Sequence, residues 1–169
     1  MFNVVTFLTK IESLLNKNNT ISSSYDISDS LNKRVQRFYK GTSGMHTSLP
    51  VIDELYPCVF VEMDSKEEDW SQIGNSARRN MEIRFNIIPV VNYGMGATTD
   101  ETAGRELSNI ECIQVTQNIE YLLREKITLS QTTIQWNKIE NTDYSQTLNE
   151  ENTYNSMGII RCVAHALSD

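Results

Sequence analysis

Within this 169-residue chain, Tyr93-Gly94-Met95-Gly96-Ala97-Thr98 comes nearest to a chemical motif. A glycine turn between a strand and a helix can cradle phosphate on backbone N–H groups. Here Thr99 stands where the third glycine belongs, no P-loop lysine follows, and the helix opens with Asp100-Glu101. Those carboxylates repel phosphate, so nucleotide binding is not expected. His46 and His165 lie far apart, and neither stands in H-E-x-x-H. No two of Cys58, Cys112 and Cys162 make a C-x-x-C pair. Asp64, Glu67, Glu68 and Asp69 are dense in carboxylate but lack the calcium-loop pattern, and they read as a solvated loop tip. A Cys–His or Ser–His nucleophile would form only in space. Cys112 falls on a helical core stripe and Cys162 on a strand face of small apolar residues, so both read as packing. His165 reads as a partly exposed strand residue. No catalytic residue, metal or cofactor is assigned, and a non-enzymatic role is expected.

The elements that would position such residues are legible from periodicity. Val4, Phe7, Leu8, Ile11, Leu14 and Leu15 form one stripe at helical spacing with Asn3 as N-cap, which predicts a helix over about 3–17. Residues 19–26 read as a loop. Residues 27–40 suit either a helix face or, over Val35–Tyr39, an edge strand, and Gly41–Pro50 reads as a link. Cys58 to Met63 is nearly continuous apolar, a strand covered on both faces. Met81, Ile83, Phe85 and Ile87 alternate with polar residues, a half-buried strand. Between these strands, Asp64 to Asn80 reads as an inserted polar arm. Thr98 with Glu101 matches a capping box and opens a helix over about 100–127. Its core stripe is Cys112, Val115, Ile119, Leu122 and Leu123. Thr132 to Glu140 predicts a strand with an irregularity near Lys138, and Asn141 to Asn155 reads as a turn region. Met157 to Leu167 is a long strand with Ile160, Cys162, Ala164 and Ala166 on one face and Met157, Ile159, Arg161, Val163 and His165 on the other. The expected class is α+β: a mostly antiparallel sheet packed with an N-terminal amphipathic helix, a second long helix and an extended polar arm.

Charge and leftover apolar residues point to partners. The net charge is −7, with six Lys/Arg against three Asp/Glu in residues 1–50 and nine against nineteen in the rest. An acidic body repels polyanions and anionic membranes. Lys33, Arg34, Arg37 and Lys40, interleaved with Val35, Phe38 and Tyr39, are either a solvated face or a patch that meets an acidic neighbour. Arg78 and Arg79 carry the same expectation. Ile110, Ile113 and Tyr121 fall outside the core stripe of their helix, covered either by a flanking segment or by a partner. Ordering the arm costs roughly 1–2 kcal/mol per residue, and only Trp70 and Ile73 could anchor it. Trp70 either packs on a partner or folds back onto its own domain. The three cysteines read as reduced core thiols. No apolar run approaches the roughly 18 residues of a membrane span, and no signal sequence opens the chain.

The run Tyr56-Pro57-Cys58-Val59-Phe60-Val61-Glu62, the opening helix, Arg84 to Pro89 in the second strand, the helix over about 100–127 and the final strand resemble the tail terminator (tail completion) proteins of long-tailed bacteriophages and related contractile particles. The resemblance covers most of the chain as one α+β domain over 1–169, with the arm at 64–80. It implies a structural virion protein, assembled in the host cytoplasm. Such a protein forms a hexameric ring on the head-proximal end of the tail tube, stops polymerisation and joins the tail to the neck. Its partners would be further copies of itself, the tail tube protein, the neck or connector protein and, in some particles, the tail sheath. DNA would pass through the lumen without specific binding. The alternatives are another ring component of the same particle, a neck, connector or tube subunit, or a small cytosolic enzyme or ligand-binding domain.

Overall fold

The first helix is set by its own first turn. In the computed structural model, which describes residues 3–16, 37–42, 57–68, 79–94, 101–125, 134–148 and 153–168, the Asn3 side-chain oxygen accepts the Thr6 N–H at 3.0 Å. The Asn3 carbonyl accepts the Phe7 N–H at 3.0 Å, completing the N-cap of α1, Val4–Asn16. The strands β1, Arg37–Thr42, β2, Cys58–Glu68, and β3, Arg79–Gly94, follow. Then come α2, Glu101–Glu125, β4, Ile134–Leu148, and β5, Thr153–Ser168. The five strands form one sheet in the order β1-β2-β3-β5-β4, antiparallel throughout except that β1 runs parallel to β2. The class is α+β, as the alternating patterns predict.

Both helices contribute to one core on one face of the sheet. Phe7, Leu8, Ile11 and Leu15 of α1 meet Val59, Val61 and Met63 of β2 and the odd-numbered residues Met81 to Ile87 of β3. Val115, Ile119, Leu122 and Leu123 of α2 join the same core with Ile160, Cys162, Ala164 and Ala166 of β5. Phe7 and Phe85 pack edge to face with centroids 5.1 Å apart, a favoured aromatic geometry. On the opposite face a second, smaller cluster holds Cys58, Phe60 and Val90, with Tyr39 stacked on Phe60 at 4.9 Å. Cys58 to Met63 is therefore buried on both faces, which explains its nearly continuous apolar run, broken only by the buried Glu62.

Two expectations change and two are made definite. The turn region expected over 141–155 is largely strand, because β4 runs on to Leu148 and β5 starts at Thr153. Its Asn- and Thr-rich residues lie on an edge, where the β5 backbone supplies the pairing and no continuous apolar face is needed. The irregularity near Lys138 resolves into two register shifts, between Ile134 and Trp136 and between Ile139 and Asn141. The arm expected over 64–80 begins later, since Ser65 to Glu68 pair with Arg84 to Met81 after a register shift at Met63/Ser65. Residues 69–78, with Trp70, Ile73 and Arg78, lie outside the described residues, as do 19–36 and 43–50. The ambiguous stretch before Gly41 ends in an edge strand, and Gly41 belongs to it.

Candidate interaction surface

The seat of α2 decides which of its side chains remain for other work. Gly104, Ser108, Cys112, Val115, Thr116, Ile119, Leu122 and Leu123 are buried. The stripe read from apolar residues is therefore two turns longer than the apolar residues themselves. Ser108 Oγ lies 2.8 Å from Ser156 Oγ and 3.2 Å from the Tyr154 carbonyl. Thr116 donates to the Cys112 carbonyl at 2.7 Å. Gln146 of β4 donates to both the Arg105 carbonyl and Ser156 Oγ at 3.0 Å, and its own carbonyl accepts Arg105 Nε at 3.1 Å. Buried polar groups cost little when paired in this way. The contact is also very close: a Cβ on Gly158 would sit 2.4 Å from Thr116 Oγ1. Only a glycine lets the helix approach the strand there.

With that seat fixed, the outward residues follow. Ile110 is 52% exposed, and Leu107, one turn earlier, is 44% exposed. Ile113 is half-buried. Tyr121 packs against the main core and so belongs to its own domain. Tyr144 of β4 is 46% exposed and stands opposite Gly158, on the helix-bearing face. Partial burial, then the nearby Glu120, pushes its hydroxyl pKa up. On the same face Thr142 donates to Glu120. Val5 of α1, at 71%, is the most exposed of the large apolar side chains among the described residues. Leu107, Tyr144 and Val5 were not singled out from sequence. Val5 and Leu107 were findable as apolar positions off their helix stripes, whereas Tyr144 sat in the expected turn.

The charged candidates divide. Lys40 pairs with Glu12 of α1 at 2.5 Å and reaches Thr9 Oγ1 at 3.4 Å, so its charge already has a partner within the chain. Arg37 and Arg79 lie in β1 and β3. Lys33 and Arg34 lie outside the described residues. On the other face of the sheet, Arg84 bonds Glu82 at 2.7 Å and approaches Glu140 at 3.7 Å, and Arg161 pairs with Asp143. These pairs, one within β3 and two between strands, balance one another rather than leaving a single-sign patch.

The three thiols are free and buried. Burial pushes Cys58 up to about 12. Burial pushes Cys112 up to about 11 against a hydrogen bond from Thr116. Burial, with Glu120 and Glu140 adding, raises Cys162 further still. A thiol held protonated is a poor nucleophile, so these residues pack, as their positions suggest. His165 is exposed on β5, and His46 lies outside the described residues. Lys66 neutralises Glu68 at 2.6 Å within the acidic run. Among the described residues no group of His, Cys, Asp and Glu could hold a metal ion, and no helix is long and apolar enough to cross a membrane.

The class defined by these observations is an α+β protein with two helices on one face of a mixed five-stranded sheet. No known family model matches the chain, and no characterised protein matches it in sequence.

Proposed function

We propose that the chain is a structural subunit of a phage tail particle, a terminator whose hexameric ring caps the head-proximal end of the tail tube and joins it to the neck. The observation that carries this reading is the element order α1–β1–β2–β3–α2–β4–β5, closed by the long β4–β5 hairpin. Apart from β1, it is the succession of opening helix, two strands, long helix and two closing strands that resembles the tail terminators. The exposed apolar residues of both helices support it, since ring subunits need contact surfaces on more than one side. An acidic body suits a lumen through which DNA slides without sticking. The buried, protonated thiols fit a structural rather than a catalytic role.

Light-scattering mass and negative-stain imaging of the purified chain, alone and with tail tubes, test the reading. The expected outcome is a ring that sits on one tube end and goes no further. Indefinite stacking would identify a tube subunit instead. A chain that stays monomeric with tubes present would overturn the proposal.

A further inference from the structure

We infer that the two edges of the sheet are the two halves of one head-to-tail contact, in which the α1–β1 edge of a second copy docks on the α2–β4 edge of the first. The inference deepens the ring reading and rests on it. Among the described residues, β1 and β4 each have one strand neighbour and stand at opposite ends of the sheet. Open edges are templates for further pairing. β4 is antiparallel to β5, β5 to β3 and β3 to β2, while β1 is parallel to β2. The two edge strands therefore run in opposite directions. A copy rotated about an axis along the strands presents its β1 antiparallel to β4, the stronger pairing mode. Both helices lie on the same face, so the helix layer continues across the junction as well.

Each edge carries an exposed apolar residue on that layer. Val5 precedes Thr9 and Glu12 by four and seven positions, so it shares their flank of α1, and Lys40 of β1 reaches both of them. Val5 thus stands on the β1 side. Ile113 precedes Glu120 by seven positions and shares the flank that meets Thr142 of β4, where Tyr144 is also exposed.

Charge selects the second copy as occupant. The segments α1 and β1 hold three basic residues, Lys10, Arg37 and Lys40, against Glu12 alone. The segments α2 and β4 hold three basic residues, Arg105, Arg124 and Lys138, against seven acidic ones, of which five remain when Glu140 and Asp143, paired with Arg84 and Arg161 on the other face, are set aside. One edge is net positive and the other net negative, which favours unlike edges meeting and disfavours each meeting itself. Such a heterologous contact closes into a ring when its rotation divides the circle.

The test mixes full-length Val5→Cys and Tyr144→Cys proteins with a flexible bis-maleimide at neutral pH, with the wild type as control for the buried native thiols. Cross-linked dimer in the mixture, and in neither variant alone, is the expected result. If light scattering shows an oligomer but the mixture does not cross-link, or either variant cross-links to itself, the edge assignment falls and the ring reading stands. If the wild type is monomeric at every concentration and with tubes, both fall. As a second measure, Val5→Asp should raise the concentration for half-assembly by about tenfold, and Val5→Lys by clearly less, because only Asp faces a like-charged edge. Equal effects of the two substitutions would remove the charge argument and overturn the proposal.

Discussion

The helices α1 and α2 lie on the same face of the sheet but hold it by different chemistry. α1 seats Phe7, Leu8, Ile11 and Leu15, all large and apolar. α2 seats Gly104, Ser108, Cys112 and Thr116 along its first turns and completes the stripe with Val115, Ile119, Leu122 and Leu123. Apolar burial is roughly proportional to area and tolerates small shifts. A seam of small polar residues does not, because its hydrogen bonds need correct distances and its close approach leaves no room for an added atom. The first helix is held by quantity of contact and the second by position.

The comparison can be broken from the α1 side first. Phe7→Ala removes a fully buried ring from the contact with Phe85 and should cost about 3–5 kcal/mol in urea unfolding, the largest effect expected. A cost below about 1 kcal/mol would show that α1 contributes little to the core.

Next in size is an alkaline loss of stability. Burial in the folded chain pushes the Cys58 thiol up to about 12 and the Cys112 thiol up to about 11, from an ordinary value of 9.0. The folded values are raised, so the folded state resists deprotonation. Stability from each thiol is full below pH 9.0 and falls as pH rises towards the folded value. Each should lose about 1.4 kcal/mol per pH unit over that window. Urea midpoints at pH 8 and 10 for the wild type and for Cys58→Ala check it, and the variant should show the shallower loss.

Gly158→Ala probes the close approach under α2. Its Cβ would meet Thr116 Oγ1 at 2.4 Å and Cγ2 at 3.0 Å, and a strain of about 1–3 kcal/mol is expected. Thr116→Ala in the same chain should recover much of that loss, and a double-mutant cycle measures the coupling. Additive effects would show that the two sites do not meet. A smaller effect belongs to Ser108→Ala, about 1 kcal/mol, from one hydrogen bond lost in the Ser108–Ser156 pair. The corresponding polar change at the exposed Thr9 of α1 should be close to neutral, which sharpens the contrast between the helices.

Local patterning alone determined a good part of this protein. The stripe of α1 with its Asn3 cap, the doubly buried run Cys58–Met63, the alternation Met81–Ile87 and the two faces of β5 are all properties of neighbouring residues. A helix or strand repeats its side-chain direction at a fixed period, so burial writes itself into the sequence there. The tertiary structure decided the rest. β4 continues through Asn141–Leu148 because β5 supplies its hydrogen bonds, and a backbone ladder is nearly indifferent to which side chains it carries. Ser108 and Thr116 face the sheet although they are polar, because the carbonyls and hydroxyls that satisfy them come from the opposing strand and from the helix's own previous turn. Lys40 is turned from a free cation into the partner of Glu12 only by the packing of α1 beside β1. Of the surface candidates, Ile110 was legible as an apolar residue off its stripe, and Tyr144 was not. Its exposure on the helix-bearing side depends on a strand edge that no local period announces, since pairing between distant segments is settled by the whole fold.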